Sequence, residues 1–298
     1  MNELYNACTL CPRKCHINRN LTTGICNNTS SIKVARSALH YFEEPSISGS
    51  NGSGTIFFSG CNLKCCYCQN KEISTNNFGI NISIKRLSEL MLDLQSKKAN
   101  NINLVTPTHF VPSIIEAIKL ARRNGLTIPI VYNTSGYESI DTIKLLDGYV
   151  DIYLTDFKYF DNKLGKDLSK VKNYFEVAST ALDEMYKQVS KNKFSSNGLM
   201  TTGIIVRCLV LPTKGNDTKK IINYLYQKYQ DNIYLSIMNQ YTPVTTNTSF
   251  PFLNSKVSEE EYDDIIDYAL DLGVKNAYIQ EGDTSDESFI PPFDLEGL

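Results

Sequence analysis

Three cysteines in the stretch FFSGCNLKCCYCQN (57–70) stand at the spacing C-x3-C-x2-C: Cys61, Cys65 and Cys68, with Tyr67 just before the last. Thiolates bind soft transition metals, and the number offered decides what the metal can do. A structural zinc takes four ligands in a tetrahedron, so three close cysteines leave it short unless Cys66 or a distant residue completes the set. Cys66 suits that task poorly, because a side chain next to Cys65 on a tight loop tends to point elsewhere. A cubane of four irons held by three thiolates keeps one iron open to a non-protein ligand, which is what a catalytic centre requires. The spacing favours that cluster over zinc. The ring of Tyr67 is placed to stack on a planar group near the metal, or else to pack in the core.

A second group supplies a complete set of ligands for one metal: Cys8-x2-Cys11-x3-Cys15-x10-Cys26. Zinc and an auxiliary iron–sulfur cluster both remain open there. His16 stands ready to replace one thiolate, and Arg13, Lys14 and Arg19 offset thiolate charge. Cys208, alone in the apolar run GIIVRCLVLP, reads as a small buried hydrophobe.

The elements that must position these groups alternate between strand and helix from residue 54 onward. Apolar runs read as strands at 54–60, 102–105, 128–132, 150–157, 203–212 and 233–239. Helical spacing marks 84–98, 112–125, 138–148, 163–192, 217–229 and 258–273, the last with a serine cap and an acidic first turn. Such alternation implies parallel pairing with right-handed crossovers. About six units predict an α/β fold, a partial (β/α)6-type barrel. Its chemistry gathers at the carboxyl ends of the strands, where the sequence turns polar: SGCNLKCCYC, TPTHF, NTSGY, TDFKYF, PTKGND, NQYTP. Loops after strands are polar in any case, so this agreement is supportive only. The organisation expected is a cysteine-rich extension and linker at 1–53, the barrel at 54–282, and a tail at 283–298 packed on it. The Gly/Ser-rich SISGSNGSG reads as the connector.

With 42% hydrophobic and 21% charged residues, the 298-residue chain has ordinary globular composition. A net charge of −2 gives no field to draw in polyanions, which argues against nucleic acid as a partner. No apolar run reaches bilayer-spanning length, and the N-terminus lacks the pattern of a secretory signal. We therefore expect a cytoplasmic monomer without a membrane role, in a compartment where clustered cysteines bind metal rather than pair as disulfides.

C-x3-C-x-Φ-C, with Φ aromatic and the motif following the first strand of a βα series, resembles the radical SAM superfamily. The closest likeness is to the pyruvate formate-lyase activating enzymes and their related branch of unsettled function. CTLCPRKCHINRN…GIC, GSGTIFFSGCNLKCCYCQN, NLVTPTHF and the closing IPPFDL carry it along essentially the whole chain. The resemblance implies a [4Fe–4S] cluster on Cys61, Cys65 and Cys68, with S-adenosylmethionine chelating the open iron. Reduction by a donor such as flavodoxin or ferredoxin would cleave the sulfonium to methionine and a 5′-deoxyadenosyl radical, which takes hydrogen from a substrate.

It also implies cofactor contacts at the strand ends. Where the activating enzymes carry a Gly-Gly-Glu-like segment for the methionyl amine, this chain has Thr106-Pro107-Thr108-His109, so Thr106 and Thr108 would offer oxygen acceptors. His109 reads equally as a ligand or as a structural histidine. Asn133 and Thr134 suit ribose or cation contacts. Asp156 and Lys158 in LTDFK match the family's Asp-x-Lys and would face the methionyl zwitterion; a solvated ion pair is the plainer reading. Arg207, Leu209 and Gln240-Tyr241 fall near nucleoside and substrate. As a radical SAM oxidoreductase the chain would install a glycyl radical on a partner enzyme, or modify a peptide or small molecule directly. The competing class is a non-catalytic zinc or redox-sensing protein, with zinc in both cysteine groups.

Overall fold

The computed structural model describes residues 2–243, 246–280 and 291–298. Its strands are β1 (Ile32–His40), β2 (Ser53–Phe58), β3 (Ile80–Ile82), β4 (Ile102–Val105), β5 (Ile130–Thr134), β6 (Ile152–Asp156), β7 (Lys193–Phe194), β8 (Met200–Leu209), β9 (Tyr234–Met238) and β10 (Ala277–Ile279). They join in the order β10-β9-β8-β6-β5-β4-β2-β1-β3, with β7 paired to β8. From β2 to β10 every step along that path is parallel. The two end strands do not meet, so the sheet curls into a partial barrel with an open side, as the βα pattern predicts.

The helices are α1 (Pro45–Ser48), α2 (Lys71–Ser74), α3 (Ile84–Ser96), α4 (Val111–Arg123), α5 (Ile140–Leu145), α6 (Asn162–Ser169), α7 (Tyr174–Gln188), α8 (Gly215–Tyr229) and α9 (Glu259–Leu272). Ser83, Asp161 and Ser258 cap α3, α6 and α9 by accepting first-turn amides. The helix expected at 163–192 is two, because Lys170 takes a left-handed φ of +59° and ends α6. Among the described residues no helix is long and apolar enough to cross a membrane.

Successive strand residues face opposite sides. Ile56, Phe58, Leu104, Tyr132, Tyr153, Ile204 and Val206 pack under the helices in the main core. Their neighbours Val131, Ile152, Leu154 and Ile205 form a smaller apolar cluster with Ile47. That alternation is what leaves Asn103, Asn133, Asp156 and Arg207 on the side away from the helices.

The sheet extends across the expected domain boundary. β1 pairs antiparallel with β2, Val34 opposite Phe58 through His40 opposite Ser53, so residues 32–40, expected in the extension, belong to the sheet. The connector read from composition begins inside α1, whose Ser46, Ile47 and Ser48 are buried. Ile47 could not reveal from its flanking serines and glycines that it would fill the barrel interior. In the tail, Phe293 meets Phe57 edge-on with centroids 5.5 Å apart. Arg36 binds the Pro292 carbonyl and the carboxylates of Asp294 and Glu296. The expected boundary at 282/283 lies outside the described residues.

Candidate active site

β2 feeds the cysteine loop through Gly60, whose φ of +82° suits glycine and whose Cβ, if present, would overlap the Asn28 side chain and the Cys26 carbonyl. The N-terminal segment thus docks directly behind the loop. Asn28 Nδ2 donates to the Ser59 carbonyl at 2.7 Å. Arg13 reaches across to the carbonyls of Asn62 at 2.9 Å and Lys170 at 2.7 Å.

Cys61, Cys65 and Cys68 line one cavity of about 150 Å³. Local bonds hold them there: the Leu63 amide lies 3.4 Å from Cys61 Sγ, Ser169 Oγ 2.9 Å from Cys65 Sγ, and Ser74 Oγ 3.2 Å from Cys68 Sγ. Cys66 is absent from that lining. Among the described residues no three His, Cys, Asp or Glu side chains converge as ligands of a single ion would. Thiols spread around a cavity suit instead a cluster that binds each sulfur to a different iron. A second observation fits an anionic cluster. The ammonium of Lys64, inside the loop, is buried without a hydrogen-bond partner among the described residues, and its charge acts on Cys61. Burial, reinforced by Cys65, pushes the Cys61 thiol up to about 12. Burial, opposed by Lys158, takes Cys65 to about 11. A metal arriving here therefore displaces protons.

The strand ends complete this cavity with Thr106, Asn133, Thr134, Asp156, Lys158 and Arg207. An adjoining one of about 200 Å³ is walled by Cys65, Tyr67 and Cys68 on one side and by Leu209 and Gln240 on the other. Tyr67 is buried, its hydroxyl 2.6 Å from that of Tyr159 and its ring edge-on to Tyr241. Thr106 holds φ at +57°, strained for a β-branched residue.

Charge is organised around Arg207. Its Nε donates to Asp156 at 2.9 Å, Nη1 to Glu43 at 3.2 Å and Nη2 to Asn133 at 2.5 Å. Lys158 grips the other Asp156 oxygen at 2.6 Å. Burial pushes the Asp156 carboxyl up, but Lys158 and Arg207 outweigh it and the net shift is down. This pair is an interior network rather than the solvated ion pair of the plainer reading.

Thr108 and His109 sit elsewhere. Thr108 lies outside both cavities, donating at 2.6 Å to Glu138. Thr134 lines the first cavity but also donates its hydroxyl to Glu138. Burial, partly offset by these hydroxyls, pushes the Glu138 carboxyl up to about 7. His109 is structural, its Nε2 2.8 Å from the Ser59 carbonyl; burial, then Arg19, takes it down to about 3. Cys208 is buried, as its apolar surroundings predict.

The front cysteines gather with Cys8, Cys11 and Cys26 buried and Cys15 partly so. A Cβ on Gly24 would stand 3.5 Å from Cys26 Sγ and 3.6 Å from Cys15 Sγ. Arg19 is fully buried beside them, 3.8 Å from Cys8 Sγ, and its other bonds go to the carbonyls of Asn28, Thr29 and His109. Among the described residues it has no carboxylate partner. Sequence reading missed Lys64, although it stands inside the cysteine motif, and Glu43 and Glu138, which carry no motif and which only the fold brings to the site.

The sequence profile of the Radical SAM superfamily matches residues 55–205. The uncharacterized protein MJ0674 of Methanocaldococcus jannaschii is 32% identical over 282 residues, covering 92% of this chain and 76% of its own. Among solved structures, Streptococcus suis SuiB bound to S-adenosylmethionine superposes with a TM-score of 0.50 at 12% identity, over 74% of this chain and 48% of SuiB. The chain thus spans under half of SuiB's length, and at that identity the likeness is one of fold. With three thiols ringing a cavity at the strand ends, and a profile match that runs from β2 into β8, the chain belongs to the radical SAM superfamily.

Proposed function

We propose that Cys61, Cys65 and Cys68 hold three irons of a [4Fe–4S] cluster and leave the fourth to S-adenosylmethionine. The observation that carries this is the sharing of one cavity by the three thiols and the polar ends of β4, β5, β6 and β8. When bound and reduced, the pair supplies a 5′-deoxyadenosyl radical that takes hydrogen from a substrate. The residues of this chain bind and orient. Lys158 and Asp156 would meet the carboxylate and ammonium of the methionyl end, with Thr106, Asn133 and Thr134 offering oxygens nearby. Tyr67, Leu209 and Gln240 would wall the nucleoside side, and Lys64 would balance cluster charge.

The open side of the sheet is where a partner's loop would enter, which supports activation of a glycyl radical enzyme; a peptide or small molecule modified directly would use the same entrance. A flavodoxin or ferredoxin would supply the electron. At the front, the buried Arg19 without a carboxylate supports an anionic iron–sulfur centre on Cys8, Cys11, Cys15 and Cys26 over zinc, since among the described residues no three of these side chains converge as a single ion would need.

Anaerobically reconstituted protein given dithionite and S-adenosylmethionine should form 5′-deoxyadenosine, and Cys65→Ala should form none. Absence of product from protein with an intact cluster overturns the proposal.

A further inference from the structure

The turn between β1 and α1 places two adjacent carboxyls, Glu43 and Glu44, in the barrel interior, both nine-tenths or more buried. They line a third cavity, of about 230 Å³, walled also by Phe42, Ser236 and Tyr278. Arg207, Met238 and Gln240 border both this space and the one beside Cys65 and Cys68, so a ligand here lies next to the proposed radical chemistry.

The two carboxyls differ in what they bind. Glu43 accepts from Arg207, from Asn103 at 2.9 Å and from Asn133 at 3.3 Å. Ser236 faces Glu44, whose other oxygen, Oε2, is buried with no hydrogen-bond partner among the described residues. The interior holds three carboxyls, Glu43, Glu44 and Asp156, against two cations, Arg207 and Lys158. Arg207 is committed to Glu43, Asp156 and Asn133, and Lys158 to Asp156. The charge of Arg207 also reaches Glu44, but three carboxyls share two cations, so among the described residues this interior is one positive charge short. A buried carboxylate in that state is costly, and a buried charge persists where a partner completes it.

Resting on the proposed radical SAM function, we propose that this cavity binds an alkylammonium group of the substrate against Glu44, between the rings of Phe42 and Tyr278. The carboxyls exclude anionic groups. A neutral donor would bond to Oε2 but leave the charge unbalanced. The aromatic walls suit both an alkyl stem and a cationic head. A metal ion is the poorer occupant, since no three acidic, cysteine or histidine groups converge there among the described residues. The ammonium can be carried by a free amine or by a lysine side chain of a peptide.

The test is calorimetric titration of the reconstituted protein, without reductant, using pentylamine and Nα-acetyl-lysine amide, with 1-pentanol as the neutral control. Because no radical is generated, binding is read independently of 5′-deoxyadenosine formation, so the two proposals fail separately. Both amines should bind if a free amine fits, and the lysine amide alone if a peptide is required. The alcohol should bind at least about tenfold more weakly, as should the preferred amine to Glu44→Gln, from loss of a charge-assisted bond. Ser236→Ala serves as a second variant should Glu44→Gln fail to fold, with a smaller loss expected. Equal binding of alcohol and amine, undiminished binding by Glu44→Gln, or no binding of either amine overturns the proposal.

Discussion

Replacing Arg207 with methionine tests the charge network directly. Methionine keeps the apolar stem but removes the guanidinium that joins β8 to Asp156 on β6, Asn133 on β5 and Glu43 before α1. Asp156 retains Lys158 at 2.6 Å, so the group left without a cation is Glu43, whose side chain is 10% exposed. Breaking a buried pair by removing one partner costs roughly 3–5 kcal/mol, and the surviving Lys158 places this case near the lower end, about 3 kcal/mol. Its pH dependence has a definite sign. Burial raises Glu43 even with Arg207 present, and without Arg207 it rises further. A carboxyl raised in the folded state contributes stability present below its ordinary value of 4.5 and lost as pH rises through the folded value. Asp156, lowered in the native protein, contributes stability present above its ordinary value of 3.8, and loses part of that without Arg207. The Glu43 effect makes the variant's deficit grow from pH 4.5 toward pH 8, while the Asp156 loss, already present above 3.8, adds a nearly constant part. Urea unfolding followed by circular dichroism at pH 5 and 8 measures it. A deficit below about 1 kcal/mol at pH 8, or one equal at both pH values, refutes the buried network; recovery in a double variant with Glu43→Gln would locate the coupling.

Other perturbations address separate parts of the molecule. Ile47→Ala should lower stability by roughly 2–5 kcal/mol, read as a fall in Tm, because it empties the space among Val131, Ile152, Leu154 and Ile205. Glu138→Gln should stabilise the protein at pH 8 by up to roughly 3 kcal/mol, the equivalent of a shift from 4.5 to about 7, and have no such benefit below pH 4.5; thermal melts at both values decide. Gly60→Ala should cost both the left-handed conformation and the docking of Asn28, and reconstituted iron content should fall with it. Arg19→Met should reduce metal retained at the front cysteines, as elemental analysis would show, with Arg19→Lys recovering part; unchanged retention in Arg19→Met would remove its assigned role.

The βα alternation was readable because apolar strand runs and helical spacing differ in period, and the cysteine trio was readable because its ligands lie within eight residues. Asp156 and Lys158 announced themselves at a strand end. Thr108 misled because a polar residue after a strand resembles a binding residue whether it reaches the cavity or, as here, a buried carboxylate. The serines and glycines around Ile47 suggested a linker, since composition cannot show that one apolar residue among them enters a barrel.

By itself the sequence determined the layers of the fold and the thiols able to carry a cluster, since both follow from the local order of residue types. Tertiary structure alone decided which distant side chains share the interior with them. Glu43 and Arg207 are 164 positions apart and meet at 3.2 Å; their charge balance arises only when β1, β2 and β8 curl into one sheet, because electrostatic partners are chosen by proximity in space, which the order of residues does not encode locally.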